Sequence, residues 1–285
     1  MKMQDTTRGI TRNTVDIGNG VQLYYEEKGS GQPVLFVHGL WASCRFFDKQ
    51  IPWFGERYRA IALDMRGHGR SSMTLYGQTV PTYASDLRAF IKALGLKDVI
   101  VVGWSMGNFV LWNYYELFGD ENIRAAVDID QSPTDLRSDD FPIGFITYEK
   151  IYEWFFQVQT NRNELMKGVV SMMFKHPLSD DDFQWMYDEM TRSPELVAAA
   201  IFFDQSARDY HHVIKGFPIP TLLCFGADES LQTLEAAHWI EKAMVNARLE
   251  VFKESGHCPF FEEPERFNDV VNAFIQGLPL LKLEK

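Results

Sequence analysis

The chain has 285 residues, of which 46% are hydrophobic and 24% charged, and its formal net charge at pH 7 is -11. That length can bury a large core in one elaborated domain or two modest ones. The excess of acidic residues argues against a surface for nucleic acid, anionic membranes or polyanionic substrates. Three widely spaced cysteines predict neither a disulfide framework nor a zinc site, and they are typical of a reducing compartment.

The first 15 residues are polar and lack the apolar segment of a signal peptide. No apolar run approaches the roughly 18 residues that a transmembrane helix needs. We therefore expect a cytoplasmic protein without a membrane partner, with residues 1–13 as a loose N-terminal extension. The residue pattern indicates no metal site and no cofactor, and an assembly of identical chains is compatible with it.

Strands and helices alternate along the first half of the chain. A β-hairpin is predicted across Gly18-Asn19-Gly20, and the continuously apolar residues 34–37 are typical of a buried strand. Further strands are predicted over 59–63, 99–102 and 123–129, and helices over 42–58, over 83–94 and directly after residue 105.

The alternation stops between residues 131 and 210, where only helical stretches rich in aromatic residues and methionine occur. It resumes with predicted strands over 221–225 and 248–252 and helices over 231–244 and 264–276. We therefore predict an α/β core, residues 14–130 and 211–285, with a mostly parallel sheet flanked by helices and an inserted helical lid over residues 131–210. Ligands of such sheets bind outside the carboxyl ends of the strands.

One strand end carries the pattern Gly-X-Ser-X-Gly, as Gly103-Trp104-Ser105-Met106-Gly107. A sharp turn from a buried strand into a helix exposes a serine hydroxyl, and glycines two residues away avoid collisions at that turn. The pattern alone is common, but between a predicted strand and a predicted helix it indicates a nucleophile. We therefore predict that Ser105 attacks the substrate.

A serine nucleophile needs a base, and the base needs an acid that orients it. His257 is the best candidate for the base, since it lies in a loop between the last predicted strand and the last helix. Asp228, which follows the strand 221–225, gives the order Ser, Asp, His along the chain and is the predicted acid. Asp128 and Asp130, at the end of the preceding strand, are the alternative.

Two backbone amides are needed to bind the oxyanion. We assign them to Met106, at the start of the helix, and to Leu40, in the loop that follows the strand 34–37. Substrate-pocket candidates are Trp41, Trp104, Phe141 and Trp154. His38, His68 and Asp64 are interpreted as braces of the loops that contain them.

These residues together resemble the α/β-hydrolase superfamily. The resemblance covers roughly residues 21–274, and its motifs are His38-Gly39, the segment 64–71, Gly103–Gly107, Gly226-Ala227-Asp228 and Gly256-His257. It implies the Ser105–His257–Asp228 triad and a helical lid, and it is nearest to serine carboxylesterases and cofactor-free haloperoxidases. The aspartate nucleophile of haloalkane dehalogenases and epoxide hydrolases is replaced here by Ser105. Asn108 departs from the glycine or alanine of many relatives, and Trp41 replaces a proline typical of perhydrolases.

The predicted function is hydrolysis of a small, apolar or aromatic carboxylic ester through an acyl-serine intermediate. Lactone hydrolysis, carbon–carbon bond hydrolysis and perhydrolysis would use the same three residues and are alternatives. A small-molecule sensor built on the same fold is an alternative of another class.

Overall fold

A computed structural model describes residues 3–5, 9–228 and 230–279. The strands are β1 Met3–Asp5, β2 Ile10–Asp16, β3 Gln22–Lys28, β4 Pro33–Val37, β5 Arg59–Leu63, β6 Val99–Trp104, β7 Ile123–Ile129, β8 Thr221–Gly226 and β9 Ala247–Phe252. The helices are α1 Gln50–Phe54, α2 Val80–Ala93, α3 Met106–Phe118, α4 Tyr148–Thr160, α5 Arg162–Met172, α6 Asp180–Met190, α7 Glu195–Ser206, α8 His211–Lys215, α9 Leu234–Ala243, α10 Pro259–Glu262 and α11 Pro264–Gly277. No helix within these ranges is long and apolar enough to span a bilayer.

The strands form one sheet in the order β1-β2-β3-β5-β4-β6-β7-β8-β9. Pairs among β1, β2, β3 and β5 are antiparallel, whereas β4 pairs in parallel with β5 and β6, and the pairs from β6 to β9 are all parallel. The carboxyl ends of six strands therefore meet at one edge of the sheet. This is the fold class that the sequence predicted, an α/β-hydrolase fold.

Residues of the central strands alternate between two apolar layers. In β4, Val34 and Phe36 face one layer and Leu35 and Val37 the other, and all four are fully buried. A strand covered by helices on both faces must be apolar at every position. That is why the continuous apolar run at residues 34–37 could be recognised as a central strand.

One predicted boundary near the N-terminus was wrong. The hairpin forms as expected, with Asp16 paired to Gln22, but β2 begins at Ile10 inside the predicted loose extension. Ile10 is buried and pairs with Asp5 of β1, so burial at the sheet edge extends the strand. Residues 1, 2 and 6–8 of that extension lie outside the described residues.

The helix predicted over residues 42–58 is divided into a 3₁₀ turn over Cys44–Phe47 and the short helix α1. Pro52 lacks the N–H that a continuous helix would bond to Asp48. At the start of the segment, the Cys44 N–H donates to the Asp64 side chain at 2.6 Å. The segment is therefore tied to the loop after β5.

Helices α4 to α7 lie between β7 and α8, and they make specific contacts with the core. Trp41 Nε1 donates to the carbonyl oxygen of Ala198 in α7 at 3.0 Å. Glu189 of α6 is only 1% exposed and lies 3.9 Å from both Arg45 and Arg70 of the core. These contacts hold the helices over the strand ends.

Candidate active site

Ser105 lies at the turn between β6 and α3, and its backbone is strained, with φ 52° and ψ -122°. Its N–H donates to the Ile129 carbonyl oxygen at 3.0 Å, which fixes the turn against β7. A Cβ atom at Gly107 would lie 2.3 Å from the Val37 carbonyl oxygen. No side chain fits there, so the second glycine of the motif is required by the close approach of α3 to β4.

The loop after β4 approaches the serine closely. A Cβ atom at Gly39 would lie 3.1 Å from Cβ of Ser105, and Leu40 lines the same cavity as that serine. Met106 is the first residue of α3, where backbone N–H groups have no acceptor within the helix. Both amides are thus on segments adjacent to the Ser105 side chain.

His257 donates from Nδ1 to Asp130 Oδ2 at 2.6 Å, and both side chains are about 95% buried. The carboxylate partner assigns the proton to Nδ1 and leaves Nε2 as an acceptor. Asp130 is itself held by the Gly226 N–H, which donates to its Oδ1 at 3.1 Å. The His257 N–H donates to the Met173 carbonyl oxygen at 2.9 Å, so a residue after α5 also holds the histidine loop.

His257 is therefore paired with Asp130, one of the two alternatives at the end of β7, and not with Asp228 as predicted. Asp228 is exposed at the turn after β8, where its N–H donates to the Ser255 carbonyl oxygen at 3.1 Å. Asp130 follows β7 directly and has a positive φ of 53°. That backbone conformation accompanies the contact between the Asp130 side chain and the loop of His257.

Ser105 and His257 share a cavity of about 60 Å³ between the strand ends and helices α4 to α7. Its walls are Gly39, Leu40, Trp41, Trp104, Ser105, Asp135, Phe145, Trp154, Val169, Met172, Met173, Met190, Phe202, Gln205, Leu231, Gln232 and His257. Three of the four predicted pocket residues, Trp41, Trp104 and Trp154, are among them. Phe141 is not. It packs against His211 and Trp239, at centroid distances of 4.7 and 6.1 Å, in a separate surface depression.

Comparison with known proteins agrees with this geometry. The family model described as "Alpha/beta hydrolase family" matches residues 34–270. The chain belongs to this family. It is 30% identical over 281 residues to a non-heme haloperoxidase of Rhodococcus erythropolis, covering 92% of this chain and 99% of the relative.

Two solved structures resemble this α/β hydrolase closely. The bromoperoxidase from Bacillus anthracis superposes with a TM-score of 0.88 at 25% identity, and an esterase from Exiguobacterium antarcticum with 0.89 at 26%. Each comparison covers 93% of this chain and 99% of the other. The named relatives and neighbours thus include a non-heme haloperoxidase, a bromoperoxidase and an esterase.

Three polar residues at the hydrolase's cavity, Asp135, Gln205 and Gln232, were not predicted from the sequence. Asp135 lies five residues after Asp130, outside any motif. The two glutamines lie on α7 and before α9, about 70 and 100 residues further along. Only the folded chain brings them together, so the sequence contained no local signal for this group.

His38 and His68 are structural, as the sequence predicted. His38 Nδ1 donates to the Gly39 carbonyl oxygen at 2.8 Å while its Nε2 accepts from the Met65 N–H at 3.0 Å. His68 donates to the Arg66 carbonyl oxygen and accepts from the Trp41 N–H in the same way. Complete burial lowers the pKa of His68 to about 4, and that of His38 also falls well below its usual value.

The lowered pKa of His68 makes the stability of the hydrolase depend on pH. Between the usual pKa of 6.5 and the folded value of about 4, the unfolded chain binds more protons, so stability falls as the pH is lowered through this range. At pH 5 the loss from His68 is about 2 kcal/mol. We expect His68→Gln to reduce, by about that amount, the difference in unfolding free energy between pH 7.5 and pH 5, measured with urea.

Burial raises the pKa of the Asp64 carboxyl to about 6, so Asp64 makes the folded state more stable as the pH is lowered, opposite to His68. Asp64 is present in both wild type and His68→Gln, so its contribution cancels when their pH differences are compared. The exposed His238, replaced by Gln, is the matched control and should leave the pH difference unchanged. Equal pH differences in wild type and His68→Gln would contradict the prediction.

Proposed function

We propose that this protein is a serine hydrolase that cleaves small carboxylic esters through an acyl-serine intermediate. The observation that supports the proposal most strongly is the shared cavity. It brings together a serine on a strained strand-to-helix turn and a buried histidine that is hydrogen-bonded to a carboxylate. Esterases among the structural neighbours support the same class of substrate.

In the first half of the reaction, Ser105 Oγ attacks the ester carbonyl carbon as His257 Nε2 takes the hydroxyl proton. The oxyanion accepts hydrogen bonds from the Leu40 and Met106 N–H groups. The intermediate collapses, the bond to the leaving alcohol breaks, and His257 returns the proton to that alcohol. Asp130 keeps the imidazole oriented and stabilises its positive charge.

In the second half, His257 takes a proton from water, whose oxygen attacks the acyl carbon. The bond from Ser105 Oγ to the acyl carbon breaks, the serine recovers a proton from His257, and the carboxylic acid leaves. No redox step or cofactor is involved. The apolar walls of the cavity exclude other water and favour an apolar acyl or alcohol group.

Perhydrolysis is the second candidate, supported by the 30% identity to a non-heme haloperoxidase. Here hydrogen peroxide replaces water in the second half, and the acyl group leaves as a peracid. The peracid can then oxidise a halide ion. Trp41 lines the cavity next to the serine, where perhydrolases typically carry a proline, which favours water as the acceptor.

The test is a series of p-nitrophenyl esters from acetate to octanoate, with Ser105→Ala as the blank. The cavity of about 60 Å³ is far smaller than the 300 Å³ or more of typical ligand pockets. We therefore expect saturable turnover of acetate and butyrate, with kcat/KM at least tenfold lower for octanoate. With substrate in excess, a burst of p-nitrophenol close to the enzyme concentration would report the acyl-enzyme.

The same preparation is incubated with acetate, bromide and hydrogen peroxide to detect bromination of a chromogenic acceptor. Bromination faster than ester hydrolysis would favour the second candidate. Turnover of every ester at the rate of the Ser105→Ala blank would overturn the proposal.

A further inference from the structure

One wall of the cavity beside the Ser105 and His257 side chains is polar. Asp135 is 1% exposed, and its carboxylate accepts from Gln131 Nε2 at 2.8 Å and from Gln205 Nε2 at 2.7 Å. Gln232 lines the same wall and is fixed by the Ser132 N–H, which donates to its Oε1 at 3.1 Å. A carboxylate and two carboxamides are thus assembled at the edge of an otherwise apolar cavity.

One acceptor among these three cavity-lining side chains, the Gln205 amide oxygen, has no hydrogen-bond partner among the described residues. Gln205 is 5% exposed and lines the cavity. Within that part of the chain, no lysine or arginine forms an ion pair with Asp135. A buried acceptor without a partner costs free energy.

Burial raises the pKa of Asp135, and the neighbouring glutamine amides and His257 oppose that shift. Whether protonated or ionised, the carboxyl group can form hydrogen bonds, and it lines the same cavity as His257. A purely structural link between α7 and the segment after β7 would need neither a side chain at the cavity wall nor an amide oxygen without a partner. A cavity wall with an unpaired buried acceptor is instead typical of a site that binds a ligand with a hydrogen-bond donor.

We propose that Asp135 and Gln205 form a specificity subsite that binds a hydroxyl or N–H group of the substrate. The proposal rests on the proposed ester hydrolysis and names its substrate class: short esters with a hydrogen-bond donor near the ester group. The small cavity restricts the donor to a few atoms from the carbonyl carbon. The apolar walls then hold the intervening carbons.

Esters that differ only by hydroxyl against methyl test this directly. On the acyl side the pairs are ethyl glycolate with ethyl propanoate and ethyl 3-hydroxypropanoate with ethyl butanoate. On the alcohol side they are 2-hydroxyethyl acetate with propyl acetate and 3-hydroxypropyl acetate with butyl acetate. Calorimetric titration of Ser105→Ala gives the binding of each pair without hydrolysis, and wild type gives the ratio of their kcat/KM values.

We expect at least one hydroxyl ester to be preferred about tenfold or more over its methyl partner, because the methyl analogue leaves the buried Gln205 amide oxygen unpaired. Asp135→Asn and Gln205→Met, the latter near-isosteric, should reduce that ratio several-fold in both measurements. Met190→Leu, on the apolar wall, is the matched control and should preserve it. The ratio does not depend on the fraction of folded protein, so a general loss of stability cannot imitate the result.

The two proposals fail in different ways. Absence of hydrolysis by wild type overturns the ester hydrolase, while the titrations of Ser105→Ala still measure the subsite. Hydrolysis with no preference for any hydroxyl ester, or a preference that survives both Asp135→Asn and Gln205→Met, overturns the subsite alone.

Discussion

Replacing Asp130 by Asn should lower kcat/KM for p-nitrophenyl acetate by roughly 10³- to 10⁴-fold. The carboxylate accepts from His257 Nδ1 at 2.6 Å in a site that is almost fully buried. An asparagine there can present its amide N–H to Nδ1 and so favour the tautomer with the proton on Nε2. That tautomer cannot take the proton of Ser105. The measurement is steady-state hydrolysis at neutral pH, together with circular dichroism to show that the variant is folded.

Asp228→Asn is the matched control. It makes the same substitution at the carboxylate that the order of residues along the chain had predicted as the partner of His257. Asp228 is exposed, so its variant should retain kcat/KM within about twofold of wild type, as surface substitutions away from a site usually do. A loss of 10³-fold in Asp228→Asn, with Asp130→Asn active, would restore the acid predicted from the sequence.

The choice between those two acids shows what a sequence pattern can resolve. Both carboxylates follow a strand whose carboxyl end lies at the same edge of the sheet, and β7 and β8 are neighbours. Strand periodicity therefore placed both near the His257 loop. Their distances from it depend on the turns that follow each strand, in particular on the positive φ of Asp130. Turn conformations of that kind are not encoded in hydrophobic spacing.

The strand-to-helix turn at Ser105 was predictable because it restricts the residue types around it. Gly107 is required because a Cβ atom there would collide with the Val37 carbonyl oxygen, whereas a Cβ atom at Gly39 would make only a tight contact with Ser105. Asn108, the residue that departs from the usual pattern, donates from Nδ2 to the Gly103 carbonyl oxygen at 2.9 Å and so braces the turn. The helix accommodates it without displacing the serine.

The helices between β7 and β8 were predictable as helices but not as pocket walls. Their aromatic residues are so numerous that composition does not distinguish the inner face from the outer. Trp154 faces the cavity and packs on Phe202 at a centroid distance of 5.9 Å, whereas Phe156 of the same helix is 59% exposed. Which face is inner depends on how α4 and α7 pack on the core. The polar wall formed by Asp135, Gln205 and Gln232 could not be predicted from the sequence for the same reason.

Ser105→Ala and Ser105→Gly should both lower kcat/KM for p-nitrophenyl acetate by roughly 10⁵-fold, since neither carries a nucleophile. Their stabilities should nevertheless differ. At φ 52° and ψ -122° any side chain is strained, and glycine relieves the strain by about 1 kcal/mol or more. Ser105→Gly should therefore have the larger free energy of unfolding, measured with urea at neutral pH.

Ser85 provides the matched control, because it is an exposed serine inside helix α2, where the backbone is unstrained. There glycine is less stable than alanine by about 1 kcal/mol, owing to its greater freedom in the unfolded chain. The free energy of unfolding of the glycine variant minus that of the alanine variant should thus be negative at position 85 and positive at position 105. The same sign at both positions would mean that the turn stores no strain. Opposite signs would show that the strained backbone at position 105 lowers the stability of the fold. Such a loss of stability is typical of a functional site and is not expected of a residue that only packs in the core.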